Sequence, residues 1–334
     1  MVESLFVERP VLKPASAPIG VFAALARGFE RIAARPLLIL PPLVLDAILW
    51  LGPRLGVEDV FRRAAATLVA PMALEPNLQE GARVLREGLL QTGTRFNLLS
   101  LVSTFPVGVP SLMAASMPAA SPLGSPVTTQ VQGAGAILLA WLALTVVGLG
   151  MGAVFHRLIA RPLPPSESRL PGWKLWLGVV AMSVVVDLGL AVIGLATIVA
   201  ASIVSLLIPL LGIGVLFIGF SLAFWAAIYL IFTPHGMVRH QLGLFKAMRE
   251  SVDLVRWNLV GTTGLLAVLL SVDRLAGLVW LMPDPASWFA GLAVLGHAFV
   301  TAMLIAASYA FYAGRREWWI SRRLAAAAPP VSSV

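Results

Sequence analysis

The amino-acid sequence predicts an all-α membrane protein: a polytopic bundle of about six transmembrane helices with further amphipathic helices at the membrane interface. Of its 334 residues, 59% are hydrophobic and only 12% are charged, whereas ordinary soluble domains carry roughly 25% charged residues. The apolar residues also occur in long runs, and about 20 such residues span the hydrocarbon core. So few charges cannot cover a water-facing surface, which argues against a soluble enzyme.

The N-terminal part predicts a cytoplasmic segment over 1–35 that ends in an amphipathic helix. Four residues of this helix form an apolar stripe at helical spacing: Phe22, Leu25, Phe29 and Ile32. On another face Arg27, Arg31 and Arg35 recur every four residues. This pattern is typical of a helix in the membrane interface, with its basic residues directed toward lipid phosphates. The first transmembrane helix is then expected over 36–56.

Residues 57–133 are predicted to form an extracytoplasmic helical cap, with helices at about 57–70 and 77–91. No Asp, Glu, Lys or Arg occurs from Phe96 to Phe155, but prolines interrupt the first half of this stretch: Pro106, Pro110, Pro118, Pro122 and Pro126. Each proline removes a backbone N–H donor, and lipid-exposed backbone must satisfy its own hydrogen bonds. We therefore expect a re-entrant or interfacial segment packed on protein, not an additional span.

The region 134–312 predicts five further spans, at 134–155, 175–203, 206–232, 259–281 and 288–312. Two of these spans contain glycines that allow close helix packing in lipid: Gly148, Gly150, Gly152, Gly212, Gly214 and Gly219. A cytoplasmic amphipathic helix is expected at 237–257, with Lys246, Arg249 and Arg256 on its polar face. Residues 313–334 form the predicted cytoplasmic tail.

The basic residues predict the orientation. Most of the 24 Lys and Arg residues fall in segments on one side of the predicted spans, and such residues are enriched on the cytoplasmic side. This places both termini in the cytoplasm. The excess of Arg over Lys, with abundant Ala and Leu, is typical of a bacterium with a GC-rich genome, which predicts the cytoplasmic (inner) membrane. The net charge of +8 is thus attributed to topology, and no nucleic-acid partner is expected.

The stretch from Tyr229 to Leu270 resembles a bacterial group of six-span proteins that includes the YciC-like proteins and the glycerophosphoryl diester phosphodiesterase membrane domain. In that group a span ends near a proline, a short amphipathic helix carries a Gly-aliphatic-x-x-Ala-x-x-x-Ser pattern, and another span follows. The matching residues here are Gly243, Leu244, Ala247 and Ser251. The segment leading into Arg35-Pro36-Leu37 also resembles the opening of that group.

This resemblance covers about 60 residues well and the six-span layout loosely, and the insertion at 57–133 departs from shorter members. It implies the six-span architecture and a role in membrane organisation or transport. It does not imply phosphodiesterase activity, because no catalytic domain and no acidic or His-rich metal signature of that enzyme is attached.

Five ionisable residues fall inside the predicted spans: Asp46, Asp187, Asp273, Arg274 and His297. Each costs at least about 2.5–3.5 kcal/mol at the bilayer centre and therefore needs a reason. One interpretation is a polar track for protons or ions. A second is a structural pairing, in which Arg274 pairs with Asp187 or Asp46 and fixes the helix register. A third is that these residues lie near helix ends and not deep in the spans.

No catalytic motif occurs, and without cysteine neither disulfides nor thiolate metal sites can form. His156, His235 and His240 are expected at the interface, and we expect no metal and no cofactor. The leading hypothesis is a non-enzymatic integral membrane protein that organises lipids or serves as a subunit of a larger assembly. Anionic headgroups or protein partners would then contact Arg27, Arg31, Arg35, Lys246, Arg249 and Arg256. The alternative is a small-solute, ion or lipid transporter that uses the intramembrane carboxylates.

Overall fold

The chain folds into a bundle of α-helices with one very small sheet. A computed structural model describes residues 17–104, 107–160 and 171–327; the predicted segment 1–16, the loop 161–170 and the last residues of the tail lie outside them. The helices and strands are α1 Val21–Ala33, α2 Leu40–Leu51, β1 Arg54–Gly56, α3 Glu58–Ala73, α4 Gln79–Arg95, α5 Leu112–Ser116, β2 Thr128–Gln130, α6 Ala134–Ala160, α7 Gly172–Leu207, α8 Pro209–Leu230, α9 Thr233–His240, α10 Leu244–Trp257, α11 Leu259–Trp280 and α12 Ala290–Ala327.

Among the described residues, five helical segments are long and apolar enough to cross a membrane, and a bent pair of helices adds a sixth if it counts as one span. The five segments are Ala134–Ala160, Gly172–Leu207, Pro209–His240, Leu259–Trp280 and Ala290–Ala325. The predicted all-α polytopic membrane bundle is therefore confirmed. The last helix is longer than predicted, because α12 continues to Ala327 through residues expected in the tail.

The first predicted span, 36–56, is wrong in its bounds. Its helical part consists of a four-residue 3₁₀ helix, Pro36–Ile39, and the twelve residues of α2. It forms a bent pair with α1, at 99°. The break has a local cause: Arg35 precedes a proline, which disfavours the α conformation, and its φ and ψ are −143° and 69°. At the other end Pro53 follows Gly52, so that β1 begins where the span was expected to continue.

Helix α12 is the centre of the bundle and packs on α1, α2, α6 and α11. Its contact with α1 is close, because a Cβ on Gly28 would lie 2.6 Å from the backbone oxygen of Met303. The buried face of α1 is Ala24, Gly28 and Ile32, whereas Phe22 and Phe29 of the predicted apolar stripe are exposed. The small residues Ala24 and Gly28 therefore let the two helices approach closely, while Phe29 contacts Phe299 of α12 at the edge of this contact.

The segment between α4 and α6 packs on protein as expected. Val107 and Val109 are fully buried, and Gly148 of α6 lies against the backbone of Val102. The described part of this segment contains no helix long enough to span a membrane. The sequence did not predict the parallel pairing of β1 with β2, which joins the two ends of the cap. Strands of three residues are too short to show an alternation of apolar and polar residues.

The predicted amphipathic helix at 237–257 is two helices, α9 and α10. Gln241 adopts a left-handed conformation, with φ 55°, and ends α9, while Gly243 caps α10. The N–H of Leu242 bonds back to the carbonyl oxygen of Gly236. This arrangement is a common helix terminus, although glycine or asparagine usually occupies the left-handed position. Glutamine there gave no clear signal in the sequence.

Helices α7 and α8 form an antiparallel hairpin that is largely exposed. The first part of α7 packs on α6 and α9, but of its residues after Ser183 only Ala201 is buried. In α8 the only buried residues before Ile228 are Gly212 and Gly219, which face Ser205 and Thr197 of α7. The outer part of the hairpin thus packs on itself and exposes apolar side chains on all other sides.

Candidate functional site

A buried carboxylate and an imidazole face each other between α2 and α12. Asp46 has no exposed surface, and its Oδ1 accepts hydrogen bonds from Ser111 Oγ, at 2.5 Å, and from the backbone N–H of Met113, at 2.9 Å. Its Oδ2 lies 3.7 Å from Nδ1 of His297. Neither Oδ2 nor this Nδ1 has a hydrogen-bond partner among the described residues.

We call Asp46 and His297 the buried pair. Three separate elements position it: α2 supplies the carboxylate, α12 supplies the imidazole, and the start of α5 supplies the donors that fix Oδ1. A carboxylate and an imidazole at this separation can hold one proton between them, either as an ion pair or as two neutral groups. The sequence predicts both residues inside spans but does not predict that they lie together.

A second polar cluster, the Glu250 network, lies where α10 meets the later part of α12. Glu250 Oε1 accepts a hydrogen bond from Tyr312 Oη, at 2.6 Å, and both carboxylate oxygens accept from Arg316, at 2.6 and 3.0 Å. Burial raises the pKa of Glu250, but the hydrogen bonds from Arg316 and Tyr312 outweigh burial, so that its pKa is lowered. The network ties α10 to α12 and offers no free donor set for a ligand.

His156 and His235, which the sequence predicts at the membrane interface, are buried within the protein. His156 Nδ1 lies 3.2 Å from Tyr309 Oη, and His235 Nε2 lies 2.9 Å from Ser308 Oγ. The rings of His235 and Tyr309 also contact each other in a tilted arrangement, with centroids 4.4 Å apart. Both histidines serve to pack α6 and α9 against α12.

These contacts share one face of α12, which carries polar residues spaced four, seven, four and four positions apart: His297, Thr301, Ser308, Tyr312 and Arg316. Helical periodicity puts them on one side, and this was the signal that the sequence analysis missed. Between Thr301 and Ser308 the helix offers only apolar side chains. The polar face is therefore interrupted over two turns and is not a continuous track.

The structural pairing predicted for Arg274 does not occur. The Arg274 side chain is 83% exposed, and its nearest carboxylate is that of the adjacent Asp273, 3.9 Å from Nε. Asp187 lies on an exposed face of α7 and forms no ion pair or hydrogen bond with any described residue. Val184 and Leu188, on the same side of α7, are 58% and 63% exposed. The structure thus places two opposite charges on outward-facing apolar surfaces.

Five of the six predicted headgroup-contacting residues are exposed and form no ion pair with any described carboxylate: Arg27, Arg35, Lys246, Arg249 and Arg256. Arg31 is half-buried and donates to the carbonyl oxygen of Leu158, at 3.4 Å. Arg239 donates to that of Ala160, at 3.3 Å. Arg35 and Arg239 lie close enough to Arg31 to repel its charge. Three cations therefore lie together at the C-terminal end of α6, where the helix dipole favours cations.

Arg54 of β1, just before the cap, is buried, and its guanidinium donates to the carbonyl oxygen of Pro118. Burial lowers the pKa of Arg54. The cavity beside it, lined in part by Arg95 and Asn97, has a volume of about 10 Å³, the space of a single water. Nothing larger than water fits there.

The described residues contain no group of three or more His, Asp or Glu side chains that could hold a metal ion. No protein-family model, no curated protein and no solved structure matches this chain.

Proposed function

We propose that this integral membrane protein is a non-enzymatic subunit of a larger assembly in the bacterial cytoplasmic membrane, with both termini in the cytoplasm. The observation that carries the proposal is the exposed carboxylate of Asp187, in the middle of an apolar helix. An ionisable group at the bilayer centre costs about 2.5–3.5 kcal/mol, and such groups almost always face a partner. Since this chain supplies none among its described residues, we infer that another polypeptide does.

The α7–α8 hairpin supports the same proposal. Gly189, Gly194 and Gly214 have open space where a side chain would begin, and small residues let a helix of another chain approach closely in lipid. Large side chains such as Leu195 and Phe217 are 66% and 72% exposed. A surface that combines these small and large residues with an unpaired carboxylate suits a helix partner better than lipid alone.

Anionic lipid is a second component of the proposal. The cluster of Arg31, Arg35 and Arg239 and the exposed Lys246 and Arg249 suit phosphate headgroups, to which each nearby cation contributes about 1 kcal/mol. Exposed aromatic side chains accompany the cations: Phe22 on α1 and Phe245 and Trp257 on α10 are each more than half exposed. Cations beside exposed aromatic residues are typical of protein surfaces at the headgroup level.

A proton-coupled transporter is the second candidate, and the buried pair favours it, because Asp46 and His297 could hold a single proton. The interrupted polar face of α12 weighs against it. Purified protein in vesicles under an imposed pH gradient tests this candidate. If the wild type transports protons and Asp46→Asn abolishes this transport, the result would support a transporter. If wild-type vesicles let no protons through, the result would rule this candidate out.

Native mass spectrometry of the chain, gently extracted from its own membrane, tests the assembly. We expect a stoichiometric complex for the wild type and its loss in Asp187→Asn, which keeps the size of the side chain but removes the charge. Glu87→Gln, on the exposed surface of α4, is the matched control and should retain the complex. A wild-type chain that carries only lipid would contradict the proposal.

A further inference from the structure

The exposed charges on α7 and α11 have opposite signs and similar surroundings. Arg274 projects from α11 between Leu270 and Leu278, one turn to either side, which are 54% and 67% exposed. Asp187 projects from α7 beside Val184 and Leu188 in the same way. Each charge therefore interrupts an otherwise apolar face. The carboxylate of Asp187 and the guanidinium of Arg274 have opposite charges and could form an ion pair.

Each charge also lies well inside its helix. Both helices begin at the same end of the bundle: Gly172 lies beside Arg157, Gly261 lies beside Arg315, and His156 contacts Tyr309 of α12. Asp187 follows the first residue of α7 by the same number of residues as Arg274 follows that of α11. With a rise of 1.5 Å per residue, each charge lies about 22 Å along its helix.

Within one chain the two charges do not meet, because α7 packs on α6 and α8 while α11 packs on α12 and α1. Two copies inserted in the same orientation would offer parallel α7 and α11 faces to each other. An Arg side chain has five N–H donors. Arg274 can therefore lie beside the Asp273 carboxylate and still bind a second carboxylate.

We propose that the partner of Asp187 is a second copy of this chain, and that Asp187 of one copy pairs with Arg274 of the other. This inference rests on the proposed assembly and names its partner. Every copy carries both charges, so that the contacts close either as a symmetric dimer with two ion pairs or as a ring. Each pair removes the Asp187 and Arg274 charges from lipid and brings the apolar faces of α7 and α11 together.

The chain contains no cysteine, so single cysteines can report this contact without a background. Val184→Cys in one tagged copy and Leu270→Cys in a differently tagged copy place thiols one turn before each charge. The two purified variants are reconstituted together in vesicles without any other protein and treated with a short thiol cross-linker. We expect a cross-linked dimer that carries both tags.

Two controls make the result specific. Pairing Val184→Cys with Leu278→Cys moves one thiol by two turns along α11 and should abolish the cross-link. Adding Asp187→Asn and Arg274→Gln to both copies of the matched pair should also abolish it. Because both charges lie on exposed faces, these changes should leave the melting profile of the purified protein unchanged.

A matched pair that yields no more dimer than the shifted pair would overturn the inference, and so would a dimer that survives neutralisation of both charges. The proposed assembly fails in a different experiment. If native mass spectrometry finds a different protein bound to a single copy of this chain, the assembly stands and the pairing between copies falls.

Discussion

Asp46 and His297 face each other inside the bundle, with Oδ2 of the carboxylate 3.7 Å from Nδ1 of the imidazole. The other carboxylate oxygen is fixed by Ser111 and by the backbone of Met113. One residue thus connects α2, the segment between α4 and α6, and α12. We therefore assign Asp46 a structural role that holds whether or not the pair also carries a proton.

Removing the Asp46 carboxylate should destabilise the fold. Asp46→Ala leaves the Ser111 hydroxyl and the Met113 N–H without an acceptor in a buried site, and an unpaired buried donor costs about 1–3 kcal/mol. Asp46→Asn keeps an acceptor oxygen and should cost less. Chemical unfolding of the purified variants measures the difference. Equal losses for alanine and asparagine would show that the hydrogen bonds at Oδ1 contribute nothing to stability.

The Glu250 network should make stability depend on acid. Arg316, Tyr312 and His240 are the groups that act on Glu250, and its pKa is lowered from an ordinary value of 4.5. A carboxylate with a lowered pKa in the folded state stabilises the fold above its unfolded pKa, and this contribution is lost as the pH falls through the folded pKa. The melting temperature should therefore decrease as the pH is lowered past about 4.5. Glu250→Gln should be less stable at neutral pH and lack this part of the acid dependence.

The close contact between α1 and α12 should not tolerate a side chain at position 28. In Gly28→Ala the new Cβ meets the backbone of Met303 and Ala307, and overpacking of this kind costs about 1–3 kcal/mol. Gly264→Ala in α11 is the matched control, because its Cβ meets nothing within 4 Å. Comparison of the two melting temperatures tests this, and an unchanged value for Gly28→Ala would mean that α1 does not pack as described.

Anionic lipid should dissociate more readily when the exposed cations are neutralised. Replacing Arg35, Lys246 and Arg249 by glutamine removes three cations that suit headgroup phosphates, at about 1 kcal/mol each. We expect fewer retained anionic lipids in native mass spectra, with zwitterionic lipids unaffected. The same number of substitutions at Arg63, Arg86 and Arg95 in the cap is the control. Equal lipid loss in both triple variants would show that only net charge matters.

The sequence predicted the membrane class, the long spans and the helices α3 and α4 because those features depend on local hydropathy and helical periodicity. It could not predict what depends on distant contacts. The partnership of Asp46 with Ser111 joins residues far apart in sequence, and nothing in the local pattern of either indicates it. The same holds for the outward position of Arg274, since a lone charge in a span has the same sequence pattern whichever way it faces.

Two errors had local causes that the sequence contained. Arg35-Pro36 disfavours a continuous helix, and this explains why α1 and α2 bend apart. The polar residues of α12 recur on one face, and this periodicity could have placed Tyr312 and Arg316 opposite a buried partner. Their partner, Glu250, could not be identified in advance, because the break at Gln241 sets how α10 approaches α12.

The central claim, that another polypeptide covers the Asp187 face, is tested most directly in the native membrane. Leu188→Cys, beside Asp187, and Phe217→Cys, in α8, place single thiols on exposed apolar positions of the hairpin. A lipid-soluble maleimide then shows which of the two thiols is accessible from the lipid. We expect position 188 to be protected in native membranes and to become reactive when Asp187→Asn is added, with position 217 reactive throughout. Equal reactivity of both thiols in the otherwise unchanged chain would contradict the claim.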